Sequence, residues 1–282
     1  MPEGDTIFRT ATTLRRWLAG RELTAARSTV AGVELGALVG QRVEAVEARA
    51  KHLLVRFSGG ATLHTHMRMT GSWHLYPTGE RWRKPARQAR VVLECGERTA
   101  VCFNAPVVEL LDRAALAAEP SLRRLGPDVL AGEIEPAELA RRAAARVGGS
   151  PSVGELLLDQ QFVSGIGNIY RCEALFVCRV DPHLPAASLE LEALVRLVTT
   201  ATRIMAANAR SSAVARDFGG GKERTWVYGR AGRPCRRCGS AIVGERHGRD
   251  ARYLYWCPRC QRGGSGGAGG ERPDYARPPW SG

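Results

Sequence analysis

Four cysteines near the C-terminus constrain the fold of this chain more than any other feature. They form two C-x-x-C pairs, Cys235–Cys238 and Cys257–Cys260. This spacing places four thiolates on two tight turns, each at the end of a short hairpin, which is typical of a tetrahedral zinc site. A redox-active or metal-free pair is the alternative. A closed four-cysteine site has no open coordination position, so we expect one structural Zn²⁺, no catalytic cofactor, and a rigid hairpin that presents Arg246, Arg249 and Arg252.

The rest of the chain has the character of a reduced, soluble protein. No run of about 18 apolar residues is present, and the start lacks the basic and apolar regions of a signal peptide. We therefore expect a cytoplasmic protein with no membrane partner. Four further cysteines have apolar neighbours and no metal-ligand spacing, and we expect them to be reduced core thiols: Cys95, Cys102, Cys172 and Cys178.

The charge of the chain indicates a polyanionic partner. There are 41 lysines and arginines against 28 aspartates and glutamates, which gives a formal net charge of +13 and a pI near 10.0. Neutralising phosphates releases counterions, and this release supplies much of the free energy of nucleic-acid binding. A generally basic proteome or a basic tail is the alternative. A membrane surface is disfavoured because no basic amphipathic helix is evident.

Hydrophobic periodicity predicts an α+β fold. Asp5 is placed to cap a helix over about residues 6–19. Short segments of alternating or β-branched character follow, which is typical of an antiparallel sandwich, and a helix over 106–117 is expected to close this domain. The predicted strands cover residues 42–48, 52–57, 61–66, 72–76, 90–94 and 99–103. After a linker-like turn, the predicted helices cover residues 136–146, 153–158, 169–176 and 188–208, before a polar loop over 210–222.

The first residues contain a candidate nucleophile. Removal of Met1, which the small Pro2 favours, leaves a secondary amine at the N-terminus. An α-amino group titrates near pH ~7.7 to 8.0, so part of it is unprotonated at neutral pH and able to attack a sugar C1′ to form an iminium. Glu3 is placed to move protons beside it, and Gly4 permits a tight bend. The alternative is that a Met-Pro start is accidental.

Three further segments contain candidate nucleic-acid contacts. In residues 160–170, two glycines between helices permit a turn that exposes backbone N–H groups to an anion, and Asn168 adds a side-chain donor; an ordinary packing turn is the alternative. In the 66–71 loop, Arg68 and Met69 are residue types that fill the gap left by a displaced base, unless Met69 packs into the core. Lys51, at the head of a strand, faces a cleft or, alternatively, solvent.

Taken together, these residues resemble the formamidopyrimidine-DNA glycosylase and endonuclease VIII family of base-excision repair enzymes. The resemblance covers about residues 1–261 and implies two lobes with damaged DNA bound between them. It rests on five segments in the family's order: residues 1–4, 49–54, 126–130, 158–168 and 227–230, the last running into the cysteine pairs. The implied segments are an N-terminal catalytic antiparallel β-sandwich domain with flanking helices (1–118), an interdomain linker (119–135), a helix-two-turn-helix DNA-binding domain (136–224), a zinc finger (225–262) and a disordered tail (263–282).

The resemblance also implies roles for individual residues. Pro2 attacks C1′ of a damaged nucleoside flipped out of the duplex, and Glu3 assists base departure and proton transfer. The iminium acidifies the C2′ protons, so β- and then δ-elimination cut the strand without a metal. Lys51 binds phosphate and helps to open the sugar, and Asn168 and Arg124 hold the phosphates that flank the lesion. Arg252 lies near the 3′ phosphate. Arg68 and Met69 fill the void that the flipped nucleoside leaves.

Two departures from the family pattern bear on the reaction. Asp5-Thr6 stands where most members continue Pro-Glu, so a second carboxylate beside the nucleophile is absent or replaced by Asp5. The Phe103–Glu109 segment lacks the arginine and phenylalanine of the purine-specific branch, and the loop over 210–224 is rather short. We therefore predict a bifunctional DNA glycosylase and AP lyase closest to endonuclease VIII, acting on oxidised pyrimidines.

Two other functions stay open on the sequence alone. One is a glycosylase of the same fold for oxidised purines such as 8-oxoguanine, and the other is a non-catalytic zinc-finger protein that binds damaged DNA. We expect a monomer, because every required group lies on one chain. We also expect a bacterial-type cytoplasmic location in association with the nucleoid.

Overall fold

The computed structural model describes residues 2–211, 215–219 and 224–262. Over these residues the chain divides into a first compact unit that ends at Arg124 and a second that begins at Leu125. The predicted tail and part of the predicted 210–222 loop lie outside the described residues. Among the helices described, none combines the length and the apolar character that a bilayer crossing demands.

The first unit is an antiparallel β-sandwich flanked by helices. One sheet has the strand order β1-β6-β7-β5 and the other β2-β3-β4-β8. Apolar side chains from both sheets and from one face of α1 form a single core between them. The elements are α1 (Gly4–Leu18), β1 (Ala25–Ser28), β2 (Val43–Arg49), β3 (His52–Phe57), β4 (Thr62–His66), β5 (Ser72–Pro77), β6 (Ala89–Cys95), β7 (Arg98–Phe103), β8 (Val107–Leu111), α2 (Arg113–Ala118) and α3 (Pro120–Arg123), with 3₁₀ turns at Gly36–Leu38 and Ala86–Gln88.

Two local predictions for this unit are wrong, and one strand was not predicted. The helix over 106–117 is strand β8 followed by α2, because β4 offers a free edge and pairing with it overrides helical pattern. Asp5 does not cap α1; the Glu3 carbonyl accepts from the N–H groups of Thr6 and Ile7, so the first turn begins earlier. Strand β1 is missing from the predicted set, and it pairs with the edge of β6.

Strand register brings four connections to one end of the sandwich. The β2–β3 turn lies there, where Arg49 pairs with His52. Residues 67–71 join the end of β4 to the start of β5, and residues 104–106 join β7 to β8. The start of β6 lies there too, since Ala89 pairs with Phe103. We call this the site end; the β3–β4 and β6–β7 turns lie at the opposite end.

The second unit is helical and ends in a two-stranded hairpin. Its elements are α4 (Pro136–Val147), α5 (Val153–Leu156), α6 (Asn168–Cys178), α7 (Leu191–Arg210), β9 (Val243–His247) and β10 (Arg252–Trp256), with a 3₁₀ turn at Ala186–Ser188. One core joins the helices, and a smaller one joins α6 to the hairpin through Cys172, Phe176, Val227 and Leu254. The N-terminus of α5 is closed by a capping box of Ser152 and Glu155.

The turn that follows the first unit has a packing role. Gly126 lies against the segment that precedes α6, and a Cβ there would clash with the Phe162 carbonyl oxygen. The Gly126 N–H donates to Gln160 O, and Ser164 Oγ donates to Gly126 O. Residues 126–130 therefore fold as part of the second unit, although their sequence is typical of a linker.

Candidate functional site

The N-terminal residues are anchored at the site end of the sandwich. α1 runs antiparallel to β2, because Arg15 donates to the Val46 carbonyl and the Gly20 N–H donates to Val43 O. The start of α1 therefore lies beside the other end of β2, where the β2–β3 turn begins. Glu3 is fully buried at the N-cap position and Pro2 is half-buried. A terminus held in this way does not fray, which a terminal nucleophile requires.

Lys51 lies on the tight turn between β2 and β3. Ala50 adopts a left-handed backbone with φ of 56°, and it is buried. Lys51 follows Ala50, and its side chain is half-buried. It is therefore neither fully solvated, as a lysine at a strand end commonly is, nor enclosed by the protein. Pro2, Glu3 and Lys51 thus belong to one end of one unit, since α1 and the turn are both fixed against β2.

The 67–71 loop presents one methionine to the core and one to solvent. Met67 is 2% exposed within the sandwich core, whereas Met69 is 63% exposed. The loop closes tightly, because the Gly71 N–H donates to Met67 O at 2.8 Å and a Cβ on Gly71 would lie 2.7 Å from Met67 Cα. Arg68 is exposed at φ of 41°. The alternative in which Met69 packs into the core is therefore wrong.

A histidine cluster that the sequence analysis missed lies beneath Lys51. His52 Nδ1 and His64 Nε2 are 2.8 Å apart, and His64 Nδ1 is 2.9 Å from a Glu109 carboxylate oxygen. Because a carboxylate only accepts, His64 Nδ1 is the donor in its bond to Glu109. Burial, then the neighbouring His66 and His64, lowers the pKa of His52 to about 3. The cluster depends on the register between β3 and β4, in which His52 pairs with His66. The sequence alone does not reveal that register.

In the second unit, the glycine-containing turn before α6 is fixed by one glutamine. Gln160 donates to the carbonyls of Leu158 and Ile166 and accepts from the Gly165 N–H. Gly165 has φ of 101°, which disfavours any other residue. The turn ends at Gly167, the N-cap of α6, so the first helical turn begins at Asn168.

Asn168 connects this turn to the hairpin. Its Nδ2 donates to the Tyr253 carbonyl at 2.7 Å, and its Oδ1 accepts from the buried Arg171. An amide nitrogen carries two hydrogens, so one Nδ2 hydrogen remains beyond the bond to Tyr253. Arg252, next to Tyr253, is exposed and lines a cavity of about 450 Å³ together with Arg171, His247 and Arg249. Asn168 is thus bonded to the strand residue that follows Arg252, within one unit.

The four cysteines of the two C-x-x-C pairs converge. All four Sγ atoms lie within 4.8 Å of one another, with Cys235 and Cys260 at 3.9 Å and Cys238 and Cys257 at 3.4 Å. A tetrahedral zinc with bonds of about 2.3 Å requires sulfur separations of about 3.8 Å. The cluster therefore fits a structural Zn²⁺. The Arg237 N–H lies 3.4 Å from Cys235 Sγ and supports that ligand.

A buried glutamate, also missed, holds the segment before the zinc cluster. Glu173 is fully buried and accepts the N–H groups of Trp226, Val227 and Tyr228 at 2.8, 3.1 and 2.8 Å. Burial raises the pKa of Glu173, and these three bonds act in the opposite direction. The carboxylate ties α6 to the chain entering the hairpin.

The remaining predicted residues are accounted for as follows. Arg124 is exposed at the C-cap of α3 and is the last residue of the first unit. Among the four other cysteines, Cys178 is half-buried, and Cys95, Cys102 and Cys172 are buried free thiols. Burial raises the pKa of Cys95 and of Cys172 to about 11, so both thiols stay protonated at neutral pH.

Three family models match the chain in order. Residues 1–106 match the formamidopyrimidine-DNA glycosylase N-terminal domain, residues 125–217 match the H2TH domain of the same glycosylase, and residues 232–263 match the zinc finger found in FPG and IleRS. The matches span both units and the cysteine cluster.

Full-length relatives agree with the family models. The chain is 41% identical to a probable endonuclease 8 2 of Streptomyces coelicolor, over 97% of this chain and 99% of the relative. It is 36% identical to a DNA-(apurinic or apyrimidinic site) lyase Nei2 of Mycolicibacterium smegmatis, over 93% and 99%. Among solved structures, the formamidopyrimidine-DNA glycosylase of Lactococcus lactis bound to DNA with an AP site superposes with a TM-score of 0.78 at 19% identity, covering 93% of this chain and 100% of that one. That likeness concerns the fold alone.

Proposed function

The chain belongs to the formamidopyrimidine-DNA glycosylase and endonuclease VIII family, and we propose that it is a DNA glycosylase and AP lyase that removes oxidised pyrimidines. The observation that carries this proposal is the grouping of Pro2, Glu3 and Lys51 at the site end of the sandwich, with the exposed Met69 on a loop at that same end.

The reaction begins with the secondary amine of Pro2 after removal of Met1. Its nitrogen attacks C1′ of the flipped nucleoside, the bond from C1′ to the base breaks, and the base leaves with a proton that Glu3 transfers. The product is an iminium between Pro2 and the opened sugar. Lys51 binds the adjacent phosphate and assists ring opening.

Strand cleavage follows from the electron demand of the iminium. Loss of a C2′ proton breaks the C3′–O bond in β-elimination, and loss of a C4′ proton then breaks the C5′–O bond in δ-elimination.

Zinc supplies folding stability to the hairpin when bound, and Cys235, Cys238, Cys257 and Cys260 hold it. Asn168 and Arg124 hold the phosphates that flank the lesion, and Arg252 lies near the 3′ phosphate; the second Nδ2 hydrogen of Asn168 suits phosphate binding.

The preference for pyrimidines rests on the connection between β7 and β8. Only residues 104–106 link the two strands, and none of them is an arginine. The purine-specific branch carries an arginine and a phenylalanine after this strand. Arg68 and Met69 are then the groups that fill the void.

Borohydride trapping tests the chemistry. The wild-type enzyme with abasic duplex is expected to form a covalent adduct, and Pro2→Gly is expected to lose most of it. Pro77→Gly, an exposed proline at the end of β5, serves as the matched control and is expected to trap normally. Intact-mass measurement must show the loss of Met1. An enzyme that cleaves abasic DNA but never traps contradicts the mechanism.

A lesion panel tests the specificity separately. Duplexes with 5-hydroxyuracil are expected to be cleaved faster than duplexes with 8-oxoguanine. The reverse order would assign the chain to the purine-specific chemistry while leaving the trapping result intact. Retention of Met1, with DNA binding but no cleavage, would favour a non-catalytic damage-binding protein.

A further inference from the structure

The connection between β5 and β6 is unusually basic. It contains Arg81, Arg83, Lys84 and Arg87, and Glu80 is the one acidic residue between positions 78 and 90. The connection follows the outer face of the β1-β6-β7-β5 sheet back towards the site end, where β6 begins. We call residues 81–88 the basic arch.

The basic arch is fixed to the sheet at three points. The Trp82 ring packs on Phe103 and Tyr76, with centroids 5.8 and 6.4 Å apart. The Arg83 N–H donates to Tyr76 Oη at 3.1 Å, and Lys84 Nζ donates to Ser72 Oγ at 2.8 Å. The arch is therefore a rigid element despite its polar sequence.

A fourth contact joins the arch to the neighbouring connection at the site end. The Asn104 N–H donates to the Gln88 carbonyl at 2.9 Å. Asn104 in turn accepts through its carbonyl from Thr70 Oγ1 at 3.0 Å. The arch and the 67–71 loop are thus linked through a single residue.

Three arginines of the arch point to a partner outside the described chain. Arg81, Arg83 and Arg87 are exposed, and within residues 2–211, 215–219 and 224–262 their guanidinium groups form no hydrogen bond or ion pair. Arg27, beside Trp82, is by contrast paired with Glu94 at 2.8 Å. The forked donors of a guanidinium group match phosphate oxygens, and a fixed backbone beneath them limits the main-chain entropy that is lost on binding.

The position of the 67–71 loop indicates which DNA strand the arch meets. The loop crosses from the β4 sheet to the β5 sheet, so Lys51 lies on one side of it and the basic arch on the other. In the proposed function the loop fills the place of the displaced nucleoside, and Pro2 and Lys51 engage the damaged strand. The strand on the arch side is then the complementary one.

We propose that Arg81, Arg83 and Arg87 of the basic arch bind backbone phosphates of the DNA strand opposite the lesion. This proposal rests on the proposed function, because the lesion defines which strand is which. The arginines contact no base edge in this arrangement, so they contribute affinity and register but no sequence preference.

Salt-dependent binding to duplex and single-stranded DNA tests the proposal. The variant Arg81→Ala/Arg83→Ala/Arg87→Ala is compared with wild type on lesion duplex and on the lesion strand alone. Each lost phosphate contact lowers the slope of log K against log [salt] by about 0.9, so the duplex slope is expected to fall by roughly 2.7. The ratio of duplex to single-strand affinity is expected to fall by at least about tenfold.

The matched control removes three other exposed arginines from the same sandwich. Arg16, Arg21 and Arg42 lie near the opposite end, where α1 ends and β2 begins, and Arg16→Ala/Arg21→Ala/Arg42→Ala is expected to keep the duplex slope. Circular dichroism checks that both variants are folded. An unchanged duplex slope in the arch variant, or an equal loss on the single strand, overturns the proposal.

Failure of the inference and failure of the proposed function are distinguishable. Borohydride trapping reports on Pro2 and is independent of the arch. The slope on undamaged duplex still measures the three phosphate contacts if no trapping occurs. A normal trapping result with an unchanged slope rejects the arch alone.

Discussion

The two units hold their candidate site residues in different ways. In the first, Lys51 and the 67–71 loop lie on turns that strand register fixes, and their side chains are half-buried or exposed, apart from the core residue Met67. In the second, Asn168 is buried and its amide is shared between Tyr253 and Arg171, next to a hairpin of only two strands. A two-sheet core supplies rigid turns by backbone pairing alone, whereas a two-stranded hairpin is marginal without additional support.

Loss of zinc is expected to give the largest difference between the units. In Cys257→Ser the four-cysteine site loses a buried ligand, and structural zinc contributes on the order of 10 kcal/mol to folding in zinc-finger peptides. We expect hydrogen exchange in β9 and β10 to become fast while the strands of the first unit keep their protection. Affinity for lesion duplex is expected to fall with it, because Arg252 and Tyr253 lie on β10.

The control for the zinc prediction is Cys178→Ser, a half-buried thiol of α6 outside the cluster. It is expected to retain zinc, measured by elemental analysis, and to bind lesion duplex normally. If Cys257→Ser loses protection in the sandwich as strongly as in the hairpin, the two units do not differ in the way described above.

This contrast explains which parts of the fold could be predicted. The four zinc ligands have a fixed spacing in sequence, and the alternating segments of the sandwich signal their own strands, so both were predicted and confirmed. β8 was predicted as a helix because its residues carry no clear period of two, and only the free edge of β4 decides its conformation. At β8, pairing between segments that are distant in sequence overrides the local hydrophobic pattern.

The site residues divide along the same line. Terminal and turn residues such as Pro2 and Lys51 can be proposed as site residues from short motifs. Residues whose partners are reached only through tertiary contacts cannot be recognised in this way. Glu173 looks like any helical glutamate until the three N–H groups it accepts are seen, and His64 becomes notable only when strand register sets it between His52 and Glu109.

Acid is expected to destabilise the first unit by a smaller amount. The pKa of His52 is lowered to about 3 by burial first, and that of His66 to about 4 by burial and then Arg68. The unfolded chain therefore binds protons at these two histidines that the folded unit does not bind. Stability falls as pH drops below about 6.5 and continues to fall towards the folded pKa values, by roughly 2 kcal/mol between pH 6.5 and 5 for one such histidine.

The measurement for the acid prediction is hydrogen exchange in β3 and β4 at several pH values, corrected for the intrinsic exchange rate. His52→Leu is expected to flatten the pH dependence. His183→Leu, in the second unit and more exposed, is expected to leave the dependence in β3 and β4 unchanged. An unaltered dependence in His52→Leu would show that this imidazole is not the group responsible.

The smallest effect on stability is expected at Met69, and it isolates function from folding. Met67→Ala removes a core side chain and is expected to lower the free energy of unfolding by about 2 to 5 kcal/mol, because Met67 is 2% exposed. Met69→Ala removes a side chain that is 63% exposed and is expected to change stability by less than about 0.5 kcal/mol. Its kcat/KM on lesion duplex is expected to fall about tenfold, since the void beside the flipped nucleoside is then incompletely filled.

The two methionines form a matched pair, two positions apart in one loop. Urea denaturation gives the stability of each variant, and single-turnover cleavage of lesion duplex gives the activity. Abasic single-stranded DNA offers no stacked duplex to support, so the activity lost in Met69→Ala is expected to be largely regained on that substrate. Equal losses on duplex and single strand would mean that Met69 acts on the sugar or the phosphate, and the void-filling role would be rejected while the structural role of Met67 stands.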